Sequence, residues 1–279
     1  MIQTAVEPEG PGLYRASLHP DWWVARGPNG GYIAAIILRA MTHAIDDPER
    51  SPRSLTVHYV TSPGQGDAVI ATTIERSGRS LTSISARMTY DGKLVAIAVA
   101  AFSKPREGPE FCDLLVPDVP PPEVLPGRAA PPEAPPIAHR WDVRWAIGAP
   151  PWDGGPLQDE AVGGGWIRLA DPALLDAPAL AAITDAWVPP LFSRIDAQVF
   201  VPTIDLTVHF RAALPVPGAK PDDFVLTRFR TSAAAEGFLE EDGEVWSRDG
   251  RLLAQSRQLA ITMPLPSGFT PARNQREGA

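Results

Sequence analysis

The hydrophobic positions form one succession that occurs twice along the chain. Residues 30–46 (GGYIAAIILRAMTHAID) are apolar on almost every face of a helical projection, which predicts a helix buried on most sides and stopping before Pro48. Alternating, β-rich runs follow at residues 54–61, 69–77, 81–90 and 94–103, and Asp91-Gly92 between the last two is the dipeptide of a type I′ hairpin turn. Farther along, a helical stretch at residues 178–188 precedes similar runs at residues 203–212, 224–232, 238–248 and 252–263. A helix apolar nearly all round has to be wrapped by the sheet that follows it, so each half is expected to be an α+β unit with one antiparallel sheet.

The halves also share residues. Leu55-Thr56-Val57-His58-Tyr59 returns as Leu206-Thr207-Val208-His209-Phe210, an offset of 151, and Tyr90-Asp91-Gly92-Lys93-Leu94 is echoed by Arg248-Asp249-Gly250-Arg251-Leu252 at an offset of 158. The seven extra residues are expected within residues 214–223 (LPVPGAKPDD), which carry turn chemistry and no strand pattern. Two such units in one chain resemble a double hotdog: two antiparallel sheets, each wrapped round a central helix, fused as an intramolecular pseudo-dimer.

Proline sets the boundaries. Of 32 prolines, eleven lie between Pro105 and Pro136, where missing N–H groups and a fixed φ exclude both helix interior and central strand. The expected division is an N-terminal unit at residues 1–104, an extended Pro-rich linker at 105–138, a C-terminal unit at 139–263 and a flexible tail at 264–279. A formal charge of -8 argues against general nucleic-acid binding. No apolar window is long enough for a membrane span and the N-terminal residues lack the pattern of a secretory signal, so the cytosol is the expected location. Cys112 is the lone cysteine, and His19, His43, His58, His139 and His209 have no ligand-like spacing, so neither a disulfide nor a metal or other cofactor is expected. The nucleophile elbow G-x-S-x-G is absent. Gly163-Gly164-Gly165-Trp166 lacks dinucleotide-binding spacing and reads as a turn into a strand.

Asp21-Trp22-Trp23, then Gly27-Pro28-Asn29-Gly30-Gly31-Tyr32 running into the apolar helix, resembles the start of the first hotdog in the acyl-CoA thioesterase II-like family. Ile183-Thr184-Asp185, Thr203-Ile204-Asp205 and Gln258 are similar to that family's catalytic positions, and the resemblance covers about residues 18–263 except the proline-rich middle. It implies hydrolysis of acyl-CoA thioesters to free acid and CoA, with Asp185 the acid at the helix end, Thr203 the strand-opening hydroxyl and Gln258 the last-strand amide. Such units often associate further, so a homodimer or higher oligomer is expected. Two other readings stay open: a non-catalytic acyl-thioester or lipid-binding hotdog protein, and a hotdog-fold enoyl-CoA hydratase, although no His is placed beside the helix-end Asp.

Thioester hydrolysis needs a water that is deprotonated and aimed at the carbonyl carbon. Asp185 can be the base, more so if apolar neighbours such as Trp187 and Ile183 raise its pKa. Thr203 and Gln258 can orient the water, and Ala181 and Ala182 leave room for a ligand. Asp205 is an alternative acid, placed by alternation on the same face as Thr203. Gly30 and Gly31 can present helix N-terminal N–H groups to an anion or carbonyl, and Arg76 and Arg79 can meet CoA phosphates. His58 and His209, equivalent in the repeat, are expected to serve packing. The first half has Ala100 where the second has Gln258 and Pro52 where it has Thr203, so only one of two pseudo-symmetric sites is equipped.

Overall fold

The repeat LTVHY/LTVHF forms the seam of the molecule. The computed structural model describes residues 3–24, 27–127, 130–132, 134–153, 155–196 and 199–265. Its N-terminal half comprises β1 (Glu7–Gly10), β2 (Leu13–Leu18), α1 (Gly30–Ile45), β3 (Ser51–Tyr59), β4 (Gly66–Ser77), β5 (Leu81–Tyr90) and β6 (Lys93–Ser103). The C-terminal half comprises β7 (Trp141–Ile147), β8 (Ala161–Leu169), α2 (Ala177–Ile183), α3 (Leu191–Arg194), β9 (Val199–Phe200), β10 (Thr203–Phe210), β11 (Val225–Thr231), β12 (Ala234–Ala235), β13 (Phe238–Trp246), β14 (Leu252–Ile261) and β15 (Met263–Pro264).

The two expected sheets are continuous. They form one 13-stranded antiparallel sheet of order β1-β2-β4-β5-β6-β3-β10-β14-β13-β11-β8-β7, with β12 paired to β13. The halves join where β3 pairs with β10, in the register Leu55–Val208, Thr56–Thr207 and Val57–Leu206. The pairing is symmetric about Thr56–Thr207, whose hydroxyls are 3.0 Å apart, so the repeated segment marks a pseudo-twofold axis. Pairing the two edge strands satisfies backbone groups that a lone unit would leave exposed. The fold is the expected α+β double hotdog, with its two sheets fused at their edges.

Helix α1 begins where Asn29 Oδ1 accepts from Tyr32 N at 3.1 Å and ends at Asp46 in the left-handed region, φ 48°. Ten of its sixteen residues are buried, as its all-round apolarity requires. The turn at Asp91 and Gly92 has φ 49° and 71°, the positive pair that a type I′ turn demands. Helix α2 is shorter than residues 178–188 suggested, because Thr184 caps it and Pro189 and Pro190 cannot continue it.

Each half also carries two strands ahead of its helix that periodicity did not reveal, β1–β2 and β7–β8. The run Gly163-Gly164-Gly165 lies inside β8, not in a turn before it. A Cβ on Gly164 would stand 2.2 Å from Thr227 O and one on Gly165 2.1 Å from Arg144 O, so glycine lets β7, β8 and β11 pair across a register shift. The proline-rich segment is docked onto the C-terminal half: Val119 and Leu125 pack on Trp166, Phe224, Leu226 and Trp246 of the outer sheet face, and Trp166 Nε1 donates to Pro120 O at 2.9 Å. The expected tail lies outside the described residues from residue 266 onward. Among the described residues, no helix is long and apolar enough to cross a membrane.

Candidate active site

The first turn of α1 and the chain just past α2 meet near the axis. Asp185 Oδ2 accepts from Gly31 N at 2.8 Å and from Asn29 Nδ2 at 2.9 Å, while Asn29 Nδ2 also reaches Asp185 O at 2.8 Å. One side chain thus caps α1 through its oxygen and holds Asp185 through its nitrogen. The reciprocal contact closes the other end, where Arg39 of α1 donates to Asp176 Oδ2, the N-cap of α2, at 2.8 Å. The anion met by the N-terminus of α1 is Asp185 itself, so the Gly31 N–H expected to face a ligand is taken by a protein carboxyl.

The close approach requires glycine. A Cβ on Gly31 would fall 2.7 Å from Ala182 O, 2.9 Å from Asp185 Cβ and 3.1 Å from Ala182 Cα. Ala181 and Ala182, read as room for a ligand, are buried, and Ala182 backs onto Gly31. Gly31→Ala is expected to destabilise the protein by about 1–3 kcal/mol through overpacking against backbone. Denaturant titration checks this, and an unchanged midpoint would contradict the packing.

Thr203 Oγ1 donates to Gln258 Oε1 at 2.7 Å, joining β10 to β14. Strict alternation would not put Thr203 there: Leu206, Val208 and Phe210 are the buried positions of β10. A register shift between Thr203 and Asp205 turns the threonine inward. For the same reason Asp205 does not share the face of Thr203, as alternation alone suggested. It alternates outward with Thr207 and His209, paired with His58. Both histidines are exposed on the outer face, so neither serves core packing.

Gln258 is buried and its Nε2 donates to Glu241 Oε1 of β13 at 2.7 Å. Glu241, a buried carboxyl only 5% exposed, was not singled out from the sequence, although alternation with Leu239, Gly243 and Val245 places it on the core face. Desolvation pushes Glu241 up to about 8, against the lowering effect of the Gln258 amide and with further raising by the charge on Asp185. Asp185 is raised to about 6, again chiefly by desolvation and against hydrogen bonds from Gly31, Gln258, Asn29 and Gly30. Tyr59 donates to Gly30 O at 2.7 Å, and burial holds its phenol well above the usual value. Asn29 and Tyr59 were likewise not proposed as site residues from the sequence. The N-cap position of Asn29, just before an apolar helix, was the available signal.

Trp187 is buried two residues past Asp185, its ring 4.8 Å from that of Trp145 and 6.4 Å from that of Phe229. Arg76 and Arg79 are exposed at the β4–β5 corner and are not brought to Asp185. Arg76 is level with Ser83, Ala101 and Ser54 across β5, β6 and β3, five residues or roughly 16 Å along β3 from Tyr59. In the first half, the register equivalents of Glu241, Gln258 and Thr203 are Ile84, Ala100 and Pro52.

The family model described as acyl-CoA thioesterase N-terminal domain matches residues 19–103, and that described as acyl-CoA thioesterase C-terminal domain matches residues 116–262. A hot dog fold protein of unknown function from Alicyclobacillus acidocaldarius is similar at 30% identity and a TM-score of 0.82, covering 95% of this chain and 98% of that one. An acyl-CoA thioesterase II, TesB2, from Mycobacterium marinum is similar in fold at 24% identity and a TM-score of 0.73, covering 95% and 98%. A tesB protein from Mycobacterium avium subspecies paratuberculosis is similar in fold at 17% identity and a TM-score of 0.77, covering 94% and 97%. No curated protein sequence matches the chain.

Proposed function

Since the chain belongs to the acyl-CoA thioesterase family, we propose that it hydrolyses acyl-CoA thioesters at the site built from Asp185, Thr203 and Gln258. The observation that carries this reading is the placement of Asp185: one buried carboxyl oxygen held by two donors, beside a Thr203–Gln258 pair. With Oδ2 engaged by Gly31 and Asn29, Oδ1 is free of those two donors and takes a proton from water. Thr203 and Gln258 orient the oxygen of that water toward the thioester carbonyl.

Attack forms the carbon–oxygen bond and moves the carbonyl π pair onto oxygen. Collapse of the tetrahedral species breaks the carbon–sulfur bond, and the thiolate leaves with the proton that Asp185 had taken. The products are a carboxylic acid and free thiol. A pKa near 6 suits the base, since it is ionised at neutral pH yet more basic than an ordinary carboxylate. Trp187 and its aromatic neighbours supply apolar surface for the acyl group. Gly30 and Gly31 act through Asp185, and the exposed Arg76 and Arg79 are candidates for CoA phosphates at the far end of an extended ligand.

The test is thiol release from a panel of acyl-CoAs, short to long and aryl, by the wild-type protein. Hydrolysis of at least one acyl class is the expected result. No thiol from any member of the panel would overturn the reading in favour of a protein that binds acyl thioesters without turnover.

A further inference from the structure

We propose that Glu241 is a positioning residue for this site, its buried carboxyl holding the Gln258 amide in the one orientation that turns the amide oxygen to Thr203. The inference rests on the thioesterase reading above and adds a residue to it.

A glutamine amide can be turned end for end, and only its neighbours decide which end faces which group. At Gln258 the oxygen accepts from the Thr203 hydroxyl at 2.7 Å and the nitrogen donates to Glu241 Oε1 at 2.7 Å. The amide also bears on Asp185, whose pKa it lowers. Reversing the amide would turn its oxygen toward the ionised Asp185 carboxylate, which has no proton to give, and would deprive the Thr203 hydroxyl of its acceptor. Glu241 supplies the acceptor that the amide N–H needs in the observed orientation, and together with ionised Asp185 it makes that orientation the stable one.

The row runs across neighbouring strands, with Glu241 directly opposite Gln258 in the β13–β14 register. The first half lacks it entirely, with Ile84 opposite Ala100. A carboxyl has thus been buried in the half that carries Asp185 and in no equivalent place of the other half. Such a group costs stability unless hydrogen-bonded, so its presence calls for a role.

Neutral Glu241 can serve as this acceptor, and its order of titration relative to Asp185 keeps it neutral while Asp185 is ionised. The groups that face it are Gln258 from β14 and Asp185 from the chain beyond α2. From β11 it is faced by Thr231, one residue past the Arg230–Asp242 pair. Arg228 and Arg230 alternate to the opposite face, and Glu240 and Asp242 on its own strand raise it further. Tyr59 of β3 adjoins Asp185. Ionisation of Glu241 puts a second negative charge beside a reaction that develops an oxyanion, which slows turnover at alkaline pH.

The experiment compares wild type, Asp185→Asn, Glu241→Gln and Glu241→Met on the acyl-CoA turned over fastest in the panel, from pH 5 to 9.5. Glu241→Gln keeps a neutral acceptor of the same shape and is expected to hold kcat within about threefold at pH 7 while losing the alkaline fall. Glu241→Met removes the acceptor and is expected to lower kcat roughly 10- to 100-fold with KM within about threefold. Equal kcat in the two Glu241 variants, whether both high or both low, overturns the proposal. Full activity in Asp185→Asn instead strikes the thioesterase site itself. A measurement that needs no variant of Glu241 follows the side-chain ¹⁵N amide of Gln258, assigned by its loss in Gln258→Leu. It is expected to titrate with the alkaline limb, and no change between pH 6 and 9.5 overturns the proposal.

Discussion

Asp185→Asn is expected to lower kcat by about 10²- to 10⁴-fold and to leave KM nearly unchanged, the range that one positioned general base contributes. The substitution is close to isosteric, and an asparagine oxygen can still accept from Gly31 N and Asn29 Nδ2, which now stand 2.8 and 2.9 Å from Oδ2. The fold around α1 therefore persists while the proton acceptor is lost. Wild-type kcat/KM is expected to rise with pH through an acid limb near 6, because only ionised Asp185 takes the proton. A carboxylate at its usual value of 3.8 would place that limb about two units lower. Steady-state thiol release from wild type and Asp185→Asn over pH 4.5–8 checks both statements. Equal kcat in the two proteins removes Asp185 from the chemistry.

The second large effect is on stability. Glu241 titrates near 8 in the folded protein against 4.5 when solvated, so between these values the folded state holds a proton that the unfolded state has released. Stability from this group is complete below about pH 4.5 and is lost as pH rises through about 8. At about 1.4 kcal/mol per unit the full loss is on the order of 5 kcal/mol. Glu241→Gln cannot titrate, so its unfolding free energy is expected to overtake that of wild type as pH rises from 5 to 9. Denaturant titrations of both proteins at pH 5, 7 and 9 measure the difference directly. Parallel curves across that range would show that Glu241 is solvated in the folded state. The depressed carboxyls of Asp47, Glu123 and Asp249 act in the opposite sense, but they are common to both proteins and cancel.

Much of the architecture was legible because each local signal had one physical solution. A helix with apolar residues all round can only be wrapped, Asp91-Gly92 can only reverse a hairpin sharply, and LTVHY/LTVHF announces a duplicated strand. The strands β1, β2 and β7 were not legible, nor was the glycine-rich first part of β8. The segment EPEG of β1 is polar, and the glycines of β8 lack the branched side chains that mark a strand, so pairing with neighbours, not local preference, makes them strands. In the site, Asp185, Thr203 and Gln258 were named from their resemblance to family positions, and Ala100 and Pro52 already marked the first half as unequipped. Asn29 and Glu241 escaped because their importance depends on what stands opposite them, 156 and 17 residues away in the chain.

The sequence by itself determined the central helix of each half and the four-stranded meander that follows it, that the unit is duplicated, and which half carries the polar residues. It could do so because periodicity, turn chemistry and repetition are properties of neighbours along the chain. Tertiary structure alone decided that the two sheets close into one through β3 and β10, and that a bulge after Thr203 turns Thr203 inward while Asp205 stays outward. It also decided that the N–H of Gly31 points at Asp185 and not at a ligand, and that the buried Glu241 fixes one end of Gln258. Those are pairings between distant segments. Their energies depend on desolvation and on distances of 2.7 to 2.9 Å, which are set only when the strands and helices have packed.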